Sequence, residues 1–342
     1  MMDQREWRDG RWRQPLPPHG GHGIGWGAVM RIGIDLGGSK IEGVLLDERG
    51  EIPLRRRVPT PQGDYEKTLQ AIVGLVRELE SHPAVARPGL PVGMGIPGAL
   101  SARTGRVKNA NSVCLIGQDL AGDLAAALAR PVRLANDADC FTLSEATDGA
   151  AAGQAIVFGV ILGTGVGGGI AVAGQLLQGA NAITGEWGHN PLPWPVGREE
   201  WPGSACYCGR TGCIETFLSG PGLSRQHALA SGREMTATGI VEAAAAGDPA
   251  AEATLCRYED QLARALAAVI NILDPHVVVL GGGVANMERL YTAIPALWGR
   301  YIFSDQVTTR LRKARHGDSS GVRGAAWLWP ELLPVDPHTA IA

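Results

Sequence analysis

Residues 31–40 read Arg31-Ile32-Gly33-Ile34-Asp35-Leu36-Gly37-Gly38-Ser39-Lys40, and residues 156–165 read Ile156-Val157-Phe158-Gly159-Val160-Ile161-Leu162-Gly163-Thr164-Gly165. Each is a short apolar run that stops at a glycine-rich turn, which is a strand signal. After the first come a second strand, a turn at Glu48–Gly50 and a third strand. After the second comes VGGGIAVAGQLLQG, again strand and turn. Apolar residues at Leu69, Ile72, Val73, Val76 and Leu79 predict an amphipathic helix over Tyr65–Glu80. VGMGIPG, helical DLAAALAR and strand PVRLAND complete the first half. In the second half a long helix over Ala251–Leu273 ends at Asp274–Pro275, and strand HVVVL runs into Gly281–Gly283. This weak internal duplication predicts two α/β domains facing each other, with their glycine turns in one interdomain cleft.

The totals agree with that reading. A chain of 342 residues is long enough for two domains with separate cores. Charged residues make up 19% and the net charge is −3, so there is no basic footprint of a nucleic-acid binder. No apolar run reaches the ~18 residues of a membrane span; the longest, Leu262–Leu273, is interrupted by Arg264 and Asn271. Residues 1–29 are rich in Arg, Pro, Gly and Trp, without helical or strand period or a secretory apolar stretch. They are expected to be a disordered extension, and the protein to be cytoplasmic. Cys114, Cys140 and Cys256 are scattered, while Cys206, Cys208 and Cys213 are crowded; in a chain without a secretory signal, crowding points to metal rather than disulfides.

Phosphate binding needs backbone N–H groups at close range, which glycine allows. Gly37, Gly38, Ser39 and Lys40 form one such turn, Gly163, Thr164 and Gly165 a second, and Gly281, Gly282 and Gly283 a third. Alone, each reads as an ordinary tight turn. Three of them at strand ends of a duplicated chain favour a ligand. Gly163, Gly165 and Gly168 spell G-x-G-x-x-G, as do Gly93, Gly95 and Gly98, but no helix follows directly, as a dinucleotide fingerprint requires.

The motifs DLGGSK (35–40), GIPG (95–98), LANDAD (134–139), GTGVGGG (163–169), GEWGHN (185–190), CYCGRTGCIE (206–215) and VVVLGGG (277–283) together resemble the signature set of the ROK sugar kinases (repressors, open reading frames and kinases). The resemblance covers about residues 30–330. VPTP (58–61), VGMGIPG, KNANS (108–112), GEWGHNPLPW, CYCGRTGCIETF, NILDPHVVVLGGG and KARHGDSSGVRGAAWLW (313–329) look closest to the bacterial fructokinase (manno-fructokinase) branch.

The resemblance implies a duplicated actin/hexokinase-like, ribonuclease H-like α/β fold. A small domain would span 30–134 and a large one, with a zinc-binding loop, 135–317; a C-terminal helix over 318–334 would pack back on the small domain. It implies ATP-dependent phosphorylation of a hexose at O6, fructose first, with mannose and glucose as further substrates, in a homodimer. Asp137 would be the general base, a role suited to a carboxylate at a strand end. Read alone, it is also a helix N-cap. Asp35 would hold Mg²⁺, and Lys40 reads equally as a phosphate contact or a solvated charge. His189, Cys206, Cys208 and Cys213 give H-x16-C-x-C-x4-C, a closed donor set for one structural zinc. Glu186, Glu215, Asn136 and the free nitrogen of His189 would hold sugar hydroxyls, with Gly98 and Asn109 on the opposite wall. Asp139 stands where the family often has Asn. A glucokinase or N-acetylhexosamine kinase is the alternative within the family. A sugar-responsive repressor is the alternative outside catalysis, set behind because the 29 residues before the first strand show no recognition helix.

Overall fold

Asp64 starts the first long helix as the sequence pattern predicts: its carboxylate accepts from Lys67 N at 3.0 Å, and Ile72, Val73, Val76 and Leu79 are buried beneath. The computed structural model describes residues 30–110 and 112–329. Of the expected extension 1–29, only the backbone of Trp7–Arg8 and Arg11–Trp12, a short antiparallel pair, is described. The rest of it, and residues 330–334 of the expected C-terminal helix, lie outside the described residues.

The first sheet contains β1 (Arg31–Leu36), β2 (Lys40–Leu46), β3 (Leu54–Pro59), β4 (Val92–Ile96) and β5 (Val132–Asn136), in the order β3-β2-β1-β4-β5. β1 pairs antiparallel with β2 and parallel with β4; β4 pairs parallel with β5, placing Ile96 opposite Asn136. Helices α1 (Tyr65–Glu80) and α2 (Leu120–Leu128) cover one face, closing a core around Ile32, Ile34, Ile72 and Leu79.

The second sheet contains β6 (Ile156–Leu162), β7 (Val166–Val172), β8 (Gln175–Leu176), β9 (Val277–Gly281) and β10 (Arg310–Lys313), in the order β8-β7-β6-β9-β10. Pairing senses repeat those of the first sheet: β6–β7 antiparallel, β6–β9 and β9–β10 parallel. The duplication read from the glycine turns is thus present in the strand order itself. The long helix (Pro249–Leu273) lies over this sheet, burying Leu255, Tyr258, Leu262, Leu266 and Ile270.

Two helices exchange between the layers. α3 (Asp137–Thr147) follows β5 of the first sheet but packs on β6 and β7 of the second. The C-terminal helix (Ser320–Trp327), shorter than the expected 318–334, follows β10 of the second sheet but packs on β1 and β4 of the first. They cross at glycine: a Cβ on Gly324 would lie 1.6 Å from Cys140 O; where the C-terminal helix meets β4, one on Gly93 would lie 1.9 Å from Ala325 O. These are backbone atoms, which cannot rotate aside as side chains do.

Gly324→Ala is therefore expected to lower stability by about 1–3 kcal/mol or more, the usual range for overpacking. Gly299→Ala, where a Cβ meets nothing within 4 Å, should leave it nearly unchanged. Urea unfolding of both checks this, and equal stability would mean the helices can slide apart freely.

Candidate active site

The β5–α3 junction places the expected base. Asn136 ends β5 and caps α3, accepting from Ala138 N at 2.9 Å. Its amide also donates to Gly98 O at 2.7 Å, so the Asn136 side chain is partly committed to protein contacts. Gly98 adopts φ 90°, and a Cβ there would meet Lys108 O at 2.5 Å. The capping role weighed for Asp137 belongs chiefly to Asn136, although Asp137 Oδ1 also accepts from Ala138 N at 2.8 Å.

Asp137 is solvent-accessible, yet loss of hydration among protein atoms pushes its pKa up, with the charge of Glu186 adding to the rise. Asp139 is pushed up to about 7, first by desolvation and then by Glu186 and Asp137. Asp35, at the end of β1, is pushed up to about 6 by desolvation, Asp137 and Glu42, against the opposing charge of Lys40. A crowd of carboxylates with this bias is an environment that favours a cation or hydroxyl donors.

Asn136, Asp139 and Glu186 line a cavity of about 280 Å³. Ala99–Ala102 form one wall, and residues 176–179 with 182–184 the other. Lys108 reaches across to Asn181 O at 3.3 Å. Asn109, expected on the wall, is exposed and in a left-handed conformation with φ 55°; neither it nor Gly98 lines this cavity.

A second cavity, of about 480 Å³, opens at the glycine turns of the second sheet. Gly163, Thr164 and Gly283 line it. The turn is tight: Gly163 N donates to Gly165 O at 3.0 Å, and Gly220 N donates to Gly163 O at 2.8 Å. Gly281, expected in the third phosphate turn, is buried within β9, where a Cβ would lie 2.4 Å from Phe141, so its smallness serves packing. Gly37 N donates to Lys40 O at 3.0 Å, leaving Gly38, Ser39 and Lys40 exposed at the turn.

Sequence reasoning missed the other side of this cavity: Gly220 and Pro221, which open the helix Gly220–Ser231, and Ala237 and Thr238, which open Ala237–Ala245. Ser219 and Thr236 cap these helices. The S-G-P and T-A-T starts were the available signal, because helix N-termini present free N–H groups and favour anions.

The ligand atoms of His189, Cys206, Cys208 and Cys213 lie within 4.8 Å of one another. Cys206 Sγ is 3.6 Å from His189 Nδ1, and Cys208 Sγ is 3.6 Å from Cys213 Sγ. Tetrahedral zinc with bonds of about 2.3 Å to sulfur needs edges of roughly 3.8 Å, so the donor set fits. Gly209 and Gly212, at φ 86° and 67°, turn the chain between ligands. The other His189 nitrogen, expected to face the cleft and bond a sugar hydroxyl, lies 3.0 Å from the Tyr207 hydroxyl. Glu215 sends one oxygen to Val166 N at 2.9 Å, tying this loop to the glycine turn.

The loop before the cysteines hangs on a residue read from sequence only as an interruption. Arg264, fully buried in the long helix, bonds both oxygens of Glu200 at 2.8 and 2.9 Å and the carbonyls of Pro193 and Trp194. A lone Arg on an apolar helix face was the signal, since buried charge requires partners.

Two sheets of one strand order, closing on a carboxylate-floored cleft, define a sugar-kinase class of actin/hexokinase-like architecture. The ROK family model matches residues 31–332. An N-acetyl-D-glucosamine kinase from Yersinia pseudotuberculosis is 42% identical over 302 residues, covering 87% of this chain and 98% of that protein; one from Photobacterium profundum is 40% identical, covering 87% and 99%. The crystal structure of a ROK hexokinase from Thermus thermophilus superposes with TM-score 0.77 at 33% identity, covering 87% of this chain and 96% of that one. A ROK glucokinase from Streptomyces griseus, in complex with glucose and AMPPNP, gives 0.69 at 28%, covering 87% and 98%. The chain belongs to the ROK family, as a sugar kinase of the actin/hexokinase-like superfamily. No helix of the described residues is long and apolar enough to cross a membrane.

The pKa shift of Asp139 has a measurable consequence. A carboxyl whose folded pKa is raised from about 4 to about 7 holds its proton better when folded. Relative stability therefore falls as pH rises through that window. Asp139→Asn removes the ionisation and is expected to raise the melting temperature by a few degrees at pH 8 and by much less at pH 5. Thermal unfolding at both values decides it; an equal shift at the two would show that Asp139 does not titrate between them.

Proposed function

We propose that this chain phosphorylates a hexose at O6 using ATP, with fructose as its preferred sugar. The observation that carries the phosphotransfer reading is the position of Asp137. It stands at the head of α3, beside a cavity lined by Asn136, Asp139 and Glu186, with its pKa raised toward the range a general base needs. Asp137 accepts the O6 proton as that oxygen attacks phosphorus; the bond to the bridging oxygen breaks and ADP leaves. The turns at Gly37–Lys40 and Gly163–Gly165 offer N–H groups to phosphate, Gly282 and Gly283 adjoin the second, and the Gly220 and Ala237 helix starts favour the same negative charge. Asp35 would hold Mg²⁺, directly or through water, and the ion would neutralise charge on the phosphate oxygens.

One argument supports fructose: the fructokinase-like stretches run through both halves of the chain rather than clustering at one loop. The cavity side chains Asp139 and Glu186 are carboxyls, which match the hydroxyl donors of any hexose. N-acetylglucosamine is the second reading, favoured by the curated relatives at 40–42% identity along nearly their whole length. A coupled assay across fructose, mannose, glucose and N-acetylglucosamine should give fructose the highest kcat/KM. A higher value for N-acetylglucosamine would overturn the sugar and leave the phosphotransfer. Asp137→Asn should lower kcat by about 10²–10⁴-fold with sugar still bound, and a loss below tenfold would overturn the base assignment.

We further propose that His189, Cys206, Cys208 and Cys213 hold one structural zinc, whose chemistry is to fix four side chains of a loop with little core of its own. Reduced thiols of this kind suit a cytoplasmic protein. Elemental analysis should return one zinc per chain, and Cys208→Ser should lose metal and melt at lower temperature. Intact stability without metal would refute the site.

A further inference from the structure

Tyr207 stands between two of the loop cysteines, and metal chemistry gives it no task. It is 80% exposed, so little packing holds it. Yet its hydroxyl is placed: it lies 3.0 Å from His189 Nε2, and the two rings meet edge to face, centroids 5.1 Å apart at 85°. The other ring nitrogen, Nδ1, is turned to Cys206 Sγ at 3.6 Å. A histidine that gives Nδ1 to a metal carries its hydrogen on Nε2, and there it donates. With Nδ1 on the proposed zinc, the phenol oxygen is the acceptor. That puts an O–H group where His189, in the reading of the cleft given above, would meet a sugar hydroxyl.

We propose that Tyr207 is a specificity-determining residue of the sugar site. Its hydroxyl holds His189 Nε2 while the cleft is free of sugar, and a hexose hydroxyl takes that place on binding. This rests on the reading of the cleft as a sugar site. The exchange conserves hydrogen bonds: the His189 N–H passes from phenol oxygen to sugar oxygen, and the released phenol, on an exposed side chain, finds water. A sugar that displaces Tyr207 without presenting an oxygen to Nε2 leaves a donor unpaired and is penalised. Tyr207 thus makes one hydroxyl of the substrate compulsory, and for the proper sugar it acts as a weak internal competitor.

Tyr207→Phe keeps the ring and removes the competitor. Calorimetric titration with whichever hexose has the highest kcat/KM should give a Kd roughly 2–10-fold lower than wild type, the factor one neutral hydrogen bond supplies. The zinc content should not change. Tyr207→Leu should move Kd in the same direction. An unchanged Kd, with the hexose bound by both proteins, would overturn the competition and leave the sugar site standing. A raised Kd would make the phenol a direct sugar contact, and loss of zinc would make it a support for the metal ligand; either overturns the proposal. Failure of the wild type to bind any hexose would overturn the sugar site, and Tyr207's part with it.

Discussion

The backbone of Gly324 rests directly on the backbone of Cys140, and the position of the cleft depends on that contact. Helix α3 carries Asp137 at its head and belongs by packing to the second sheet. The C-terminal helix belongs to the first. Where they cross, a Cβ on Gly324 would overlap the Cys140 carbonyl, so the axes approach more closely than any side chain permits. A buried carboxylate then locks the crossing. Glu145 accepts from Ala150 N, Arg315 N, His316 N and Ser320 Oγ, at 2.8 to 3.3 Å. Asp148 takes Arg323, His316 and Trp327 from the same segment. Breaking any one of these would leave a charge buried among unpaired donors, which is more costly than never having placed it there. Asp35 is held in the same frame, since a Cβ on Gly321 would lie 3.5 Å from its carboxylate. One crossing therefore sets Asp35 and Asp137 relative to each other, though one stands on β1 and the other at the head of α3.

That frame keeps together groups that repel. After the larger effect of lost hydration, the charges of Asp137 and Glu42 push the pKa of Asp35 up, Glu186 that of Asp137, and Glu186 with Asp137 that of Asp139. Such crowding opposes folding at neutral pH and persists because the helix crossing over-determines it. Its use is in what it attracts. A divalent cation beside Asp35 and hydroxyl donors beside Asp139 and Glu186 would each relieve the repulsion, so cation and polyol binding are favoured at the same place.

Much of this was legible before any coordinates. The repeated strand–turn–strand pattern gave the sheets, because alternation and glycine turns are local properties. The crowding of Cys206, Cys208 and Cys213 was legible for the same reason: three cysteines within eight residues can only be neighbours. Less legible was anything decided by contact between distant segments. Gly281 sits in a glycine run like the others, but Phe141, far away in sequence, decides that its missing side chain is for packing. Arg264 looked like a break in an apolar run until Glu200 was found opposite. The starts of the helices at Gly220 and Ala237 were readable as caps, yet nothing local says that both point at one cavity.

His189 shows why site residues are harder to read than folds. Its spacing to the cysteines assigns one nitrogen, and chemistry leaves the second free to donate. Which acceptor the second nitrogen meets is a matter of a single rotamer at Tyr207, an exposed residue with no pattern to mark it. With a metal on Nδ1, the histidine ring would be held on one side and left to an exchangeable partner on the other. A donor fixed on one side and loosely capped on the other is suited to select among ligands, because the bond it gives up is small and the geometry it demands is not relaxed.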